Sequence, residues 1–158
     1  VDRVVVPVAI ALGSNLGDRR GHLLWAAEAL ADLLPSLRLS SIIETEPVGV
    51  PDDQPPFLNA AATGTTTASA AELLTLLQDL ERRCGRERPY RWAPRTLDLD
   101  LIFYGDQVIA QPELVVPHPR FRERLFVLQP LAELAADWVD PVTGRTVGQL
   151  LAERERAR

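Results

Sequence analysis

An α+β fold of ferredoxin-like order, an antiparallel sheet covered by helices in a single domain over residues 1–158, is predicted by three observations. Period-two apolar alternation marks strands, and apolar spacings of three and four mark the helices between them. Read in order, these segments run strand, helix, strand, strand, helix, strand. A chain of 158 residues that is 46% hydrophobic has enough apolar surface to bury its own core.

The first strand is Val8 to Leu12, and Gly13-Ser14-Asn15-Leu16-Gly17-Asp18 turns from it into a helix from about Gly21 to Leu34, closed by Pro35. A second strand covers Leu37 to Glu46, with Leu37, Leu39, Ser41 and Ile43 on one face. Pro47 to Pro56 contains four prolines and reads as a surface loop stiffened by fixed φ angles. The third strand is Phe57 to Thr67. Ser69-Ala70-Ala71-Glu72 is a capping box, so a helix starts there and runs to about Cys84, stopping at Gly85. An arginine-rich loop follows, then a strand from Leu97 to Tyr104, a Gly105-Asp106 hairpin signal and a short strand from Gln107 to Ile109. Phe121 to Leu134 is expected to be helical with a break near Pro130, and Thr146 to Arg154 to form the last helix.

Composition narrows the function. The formal net charge of -5 disfavours nucleic acid and membrane surfaces, both of which call for a positive face. No apolar run is long enough to span a bilayer, and the opening residues lack the layout of a signal peptide, so a soluble cytoplasmic protein is expected; a monomer is expected as well. The lone cysteine, Cys84, agrees with a reducing compartment and falls in register with Leu73, Leu77 and Leu80 as core filler. Basic charge is nonetheless concentrated: Arg82, Arg83, Arg86, Arg88, Arg91 and Arg95 share one short segment of a chain that has no lysine. Guanidinium groups suit bidentate phosphate contacts.

The sharpest chemical signal is Leu97-Asp98-Leu99-Asp100-Leu101. On a strand the leucines point to one face and both carboxylates to the other, where paired hard oxygens suit Mg²⁺. An amphipathic strand with a solvated acidic face is the plain alternative. The adjacent Arg91-Trp92-Ala93-Pro94-Arg95-Thr96 favours the metal, because phosphoryl transfer consists largely of positioning and charge neutralisation. The Gly13–Asp18 turn lacks the ending of a P-loop and reads as a tight strand-to-helix connection. Phe57 and Asn59 share a strand face and offer an aromatic platform and an amide to a flat heterocycle, or equally one core Phe and one edge Asn. Val115-Val116-Pro117-His118-Pro119 sets His118 beside a phosphate or in a proline-fixed turn, and His22 reads as structural.

The chain resembles the 6-hydroxymethyl-7,8-dihydropterin pyrophosphokinase family in Ala11–Gly17, Thr45–Gly49, Gln54–Ala60, Arg91–Asp100 and Val116–Arg120, in the family's order and across nearly the whole length. The resemblance implies transfer of pyrophosphate from ATP to the hydroxymethyl oxygen of the pterin, with release of AMP, in folate synthesis. It implies two Mg²⁺ ions with ATP on Asp98 and Asp100, and catalytic roles for Arg86 and Arg95 beside those aspartates. It places Gln78, Glu81, Arg88, Trp92, Leu101, His118 and Arg124 near the nucleotide, and Thr45, Pro47, Val48, Phe57, Asn59 and Phe126 at the pterin, with Phe57 and Phe126 sandwiching the ring. The loops at about 46–56 and 84–96 would close over the substrates. Ala93 stands where the family usually has glycine, Phe57 replaces a common tyrosine, and Glu113 stands where some relatives carry a basic residue.

Overall fold

The computed structural model describes residues 4–45, 56–84 and 96–157. Its centre is β1 (Val6–Ser14), a strand buried on both faces. Val8, Ile10 and Leu12 point into one hydrophobic core and Ala9 and Ala11 into a second, as the period of two requires. On either side of β1 lie β4 (Phe57–Thr66) and β5 (Asp98–Tyr104), both antiparallel to it. β2 (Arg38–Leu39) and β3 (Ile43–Thr45) both pair with the outer side of β4. The order β2-β4-β1-β5 is the ferredoxin-like arrangement the sequence predicts.

The first core is covered by α1 (Arg19–Leu33) and α2 (Ala70–Cys84), whose buried residues Leu23, Ala26 and Leu30, and Leu73, Leu77 and Leu80, recur at helical spacing. The Ser69–Glu72 capping box is present: the Glu72 amide donates to Ser69 Oγ at 3.1 Å and the Ser69 amide to Glu72 Oε1 at 2.8 Å. Cys84 packs against this core, and burial raises its thiol pKa. The second core lies on the opposite face, under α3 (Leu125–Ala135) and α4 (Val147–Arg156), which contribute Val127, Leu128, Leu131, Val147 and Leu150.

Four expectations are corrected. The helix expected from Gly21 begins at Arg19, because the Asp18 side chain accepts the Gly21 amide at 3.0 Å and caps it. The strand expected over Leu37–Glu46 divides into β2 and β3 at Ser40, whose hydroxyl takes the Ala61 amide at 2.8 Å in place of a main-chain carbonyl. Parity shifts there, so that Ile42 rather than Ile43 follows Leu37 and Leu39 onto the first core. Gly105-Asp106 does turn the chain, with Gly105 at φ 57°, but no strand returns along β5. The next strands, β6 (Ile109–Gln111) and β7 (Leu114–Val116), pair with each other because this arrangement brings Ile109, Leu114 and Val116 onto the first core. Finally, the helical break falls at Arg124, between a 3-10 turn at Phe121–Glu123 and α3, while Pro130 continues the helix and is itself buried.

Candidate active site

The second face of the sheet is only partly hydrophobic. Across its strands, residues fall in rows set by register: Ala61, Ala11 and Asp100 form one row, and Asn59, Gly13 and Asp98 the next. Asn59 and Asp98 are thus two strand spacings apart, about 10 Å. Between them Gly13 presents no side chain. A Cβ there would lie 3.2 Å from Asn59 Oδ1 and 3.9 Å from Phe57 Cδ1, so the glycine keeps the floor between amide and carboxylate flat.

Asp98 and Asp100 stand half-buried on this face, while Leu97, Leu99 and Leu101 enter the first core. Pairing between β1 and β5 slips between Ala9 and Ile10, and the extra residue is Ile102. Ile102 and Phe103 both reach the second core, which therefore ends just short of the carboxylates. β5 is also the edge of the sheet. Its outward Leu99 amide, midway between the two aspartates, donates to Glu81 Oε2 at 2.8 Å.

His118 follows β7 and is tied to the same strand, its amide donating to the Ile102 carbonyl at 3.2 Å. Burial is the main cause lowering the His118 pKa; the Asp100 charge opposes it, and Arg124 and Arg120 reinforce it. Nδ1 accepts the Arg120 amide at 3.3 Å, leaving the proton of the neutral ring on Nε2. The Arg124 guanidinium lies 5.6 Å from the centre of the Phe126 ring. On the opposite side, Asn59 Nδ2 donates to Thr45 Oγ1 at 2.7 Å, and β3 pairs Thr45 with Phe57. Two carboxylates, a neutral imidazole and an arginine thus occupy one end of this face, and an amide with an aromatic ring the other.

Asp98, Asp100, His118, Arg124, Phe126, Thr45, Phe57 and Asn59 are the predicted residues placed around this face. Leu101 lies on the opposite face, so only its main chain can serve a ligand among the aspartates. Gln78 is exposed on α2, three residues before Glu81 at the β5 edge. Arg86, Arg88, Trp92, Arg95, Pro47 and Val48 lie outside the described residues. Among the described residues no group of three or more His, Cys, Asp or Glu could hold a metal. The Asp98–Asp100 pair fits Mg²⁺ with its remaining positions on water and phosphate, and not a closed protein cage.

Sequence reading passed over Gly13 as a floor residue, since a glycine at a strand end signals a turn equally well. It also passed over Arg19, whose Nη1 donates to the Pro56 carbonyl at 2.6 Å and lies 3.9 Å from Glu44, and which carries no local signal. Ser14 and Asn15 are fully buried, in keeping with a tight connection after β1.

A model of the family described as 7,8-dihydro-6-hydroxymethylpterin-pyrophosphokinase matches residues 9–136. The 2-amino-4-hydroxy-6-hydroxymethyldihydropteridine pyrophosphokinase of Synechocystis sp. is 44% identical over 147 residues, covering 91% of this chain and 74% of that protein. The protein of the same name from Pseudomonas aeruginosa is 44% identical over 148 residues, covering 92% and 90%. A crystal structure of Plasmodium falciparum HPPK-DHPS superposes with a TM-score of 0.75 at 14% identity, a likeness of fold. It covers 96% of this chain and 44% of that longer one, so this chain spans less than half of the solved protein.

Proposed function

The chain belongs to the 7,8-dihydro-6-hydroxymethylpterin-pyrophosphokinase family, and on that premise we propose that its Mg²⁺-dependent active site is the second face of the sheet, at the rows carrying Asp98 and Asp100. The reaction is transfer of pyrophosphate from ATP to the hydroxyl of 6-hydroxymethyl-7,8-dihydropterin, a step of folate synthesis. The observation that carries the placement is the row Asn59–Gly13–Asp98, which sets a heterocycle-reading amide about 10 Å from a carboxylate across a bare strand.

Thr45 and Asn59 orient each other. With Nδ2 committed to Thr45 Oγ1, the Asn59 carbonyl is turned toward an N–H of the pterin edge. Phe57 and Phe126 hold the flat ring by its faces, and Pro47 and Val48 complete that pocket from the 46–55 segment. The ring's hydroxymethyl group then points along the row toward β5. Gln78, Glu81, Arg88, Trp92, Leu101, His118 and Arg124 receive the nucleotide along the β5 edge. The neutral His118 offers its Nε2 proton to a phosphate oxygen, and Arg124 its charge. Asp98 and Asp100 would hold two Mg²⁺ ions, whose bound charge would draw electrons from the triphosphate oxygens and align them. Arg86 and Arg95 stabilise the charge that develops on the transferred group. The pterin hydroxyl oxygen bonds to the β-phosphorus and gives up its proton to solvent, the bond from that phosphorus to the oxygen bridging it to the α-phosphate breaks, and AMP leaves with that oxygen. A single domain working as a cytoplasmic monomer is sufficient for this scheme; among the described residues no helix is long and apolar enough to cross a membrane.

The site is tested by Asp98→Ala and Asp100→Ala, each expected to lower kcat by roughly a hundred- to a thousandfold with circular dichroism unchanged. Turnover within a few-fold of the parent in either variant would reduce the pair to a solvated strand face.

A further inference from the structure

We propose that Arg122 and Asp140 are a positioning pair: through them a C-terminal segment outside the 9–136 family match holds the turn bearing His118, Arg124 and Phe126 against the aspartate strand. The inference rests on the reading above that places those three residues at the substrates.

Asp140 is fully buried and yet charged. Arg122 Nε and Nη2 donate to its two carboxylate oxygens at 2.5 and 2.9 Å, Thr143 Oγ1 to Oδ2 at 2.7 Å, and the Val142 amide to Oδ1 at 3.1 Å. Burial alone would raise its pKa, but the hydrogen bonds from Arg122, Thr143 and Val142, with the Arg122 charge, bring it below the usual carboxylate range. The same guanidinium lies 4.8 Å from the centre of the Phe121 ring, and Phe121 is itself fully buried edge-on to Phe103 at 5.2 Å. From this anchored turn, bonds of one step reach the site. The Phe121 amide donates to the His118 carbonyl at 3.3 Å, the Arg124 amide to the Phe121 carbonyl at 3.2 Å, and the His118 amide to Ile102 beside Asp100. Arg154 Nε of α4 adds a second tether on the Glu123 carbonyl at 2.9 Å.

Why an ion pair stands here follows from what apolar packing lacks. A buried pair adds little net stability over hydrophobic groups of the same volume, but its fork admits one geometry. Three residues that must meet two substrates leave this one short turn within nine positions of each other. A displacement of an ångström there is costly to turnover.

The test compares the full-length parent with Asp140→Asn, Arg122→Gln, the double variant, and Val147→Ala as a packing control in the same core. Each is measured for kcat, for KM of ATP and of the pterin, and for affinity to a non-hydrolysable ATP analogue, at a temperature where all are folded by circular dichroism. Each single variant of the pair is expected to lose roughly ten- to a hundredfold in kcat/KM for ATP, with weaker analogue binding, and the double variant to lose no more than either. Val147→Ala should keep parental kinetics despite a lower thermal midpoint. Activity that follows the thermal midpoint across all variants, or parental kcat/KM in either single variant, overturns the proposal. Should Asp140→Asn fail to fold, Arg122→Lys, which keeps the charge but not the fork, is read in the same way: several-fold loss supports the proposal and parental kinetics overturns it. A parent that does not turn over the pterin would instead remove the reading of the site itself, and this inference with it.

Discussion

His118 illustrates how one side chain acquires its state from three directions. Its ring is half-buried, which disfavours the charged form, and Arg124 and Arg120 add repulsion that Asp100 only partly offsets. Without added metal or nucleotide, an NMR titration of His118 is expected to have its midpoint below about 6.5. The folded pKa being the lower one, its contribution to stability is complete above the unfolded value and is lost as pH falls through the folded one. Asp100→Asn removes the stabilising charge and should lower the midpoint further; a rise in that variant would contradict the placement of His118 beside Asp100. Asn59 shows what one residue's sequence context leaves open. Its spacing from Phe57 suits a ligand site and an ordinary strand edge equally, and the partner that decides, Thr45, arrives from another strand, separated in sequence by a stretch with four prolines.

Among the elements, legibility follows the range of the forces that form them. The α2 start was legible in Ser69 and Glu72 because both halves of the cap lie within one turn. The carboxylate face of β5 was legible because alternation needs no neighbour. The division of β2 from β3 was not, since it depends on a Ser40 hydroxyl meeting the Ala61 amide from β4, 21 residues away. Nor was the uninterrupted course of α3 through Pro130, where burial of the helix on the second core outweighs a local breaker. The capping box gives a prediction at this scale. Ser69→Ala should cost about 1 kcal/mol and lower the thermal midpoint by about 2–4 °C. Because Glu81 lies about 18 Å further along the same helix, kcat should stay parental. An unchanged midpoint would show that the cap adds nothing to α2.

At the scale of the molecule, one sheet performs two tasks by treating its faces differently. The first face is apolar over Val8, Ile10, Leu12, Ala62, Leu99 and Leu101 and is covered there by α1 and α2. The second is closed by α3 and α4 only over Ala9, Ala11, Ala61, Ile102 and Phe103, and the rows beyond carry Asn59, Gly13, Asp98 and Asp100. The Ile102 bulge marks the boundary, and no sequence pattern announces it because it depends on pairing with β1. The ferredoxin-like order was legible because each strand and helix of its core announces itself locally, whereas the clamp from residues 140 and 154 onto the 121–123 turn depends on contacts from beyond α3. On this account the sheet holds two substrates in one row and directs the pterin oxygen at the middle phosphorus of ATP. The most direct test is to mix the protein with ATP, Mg²⁺ and 6-hydroxymethyl-7,8-dihydropterin and identify the nucleotide product by chromatography. AMP formed one-for-one with pterin diphosphate is the predicted result; ADP, or turnover that does not require the pterin, would contradict it.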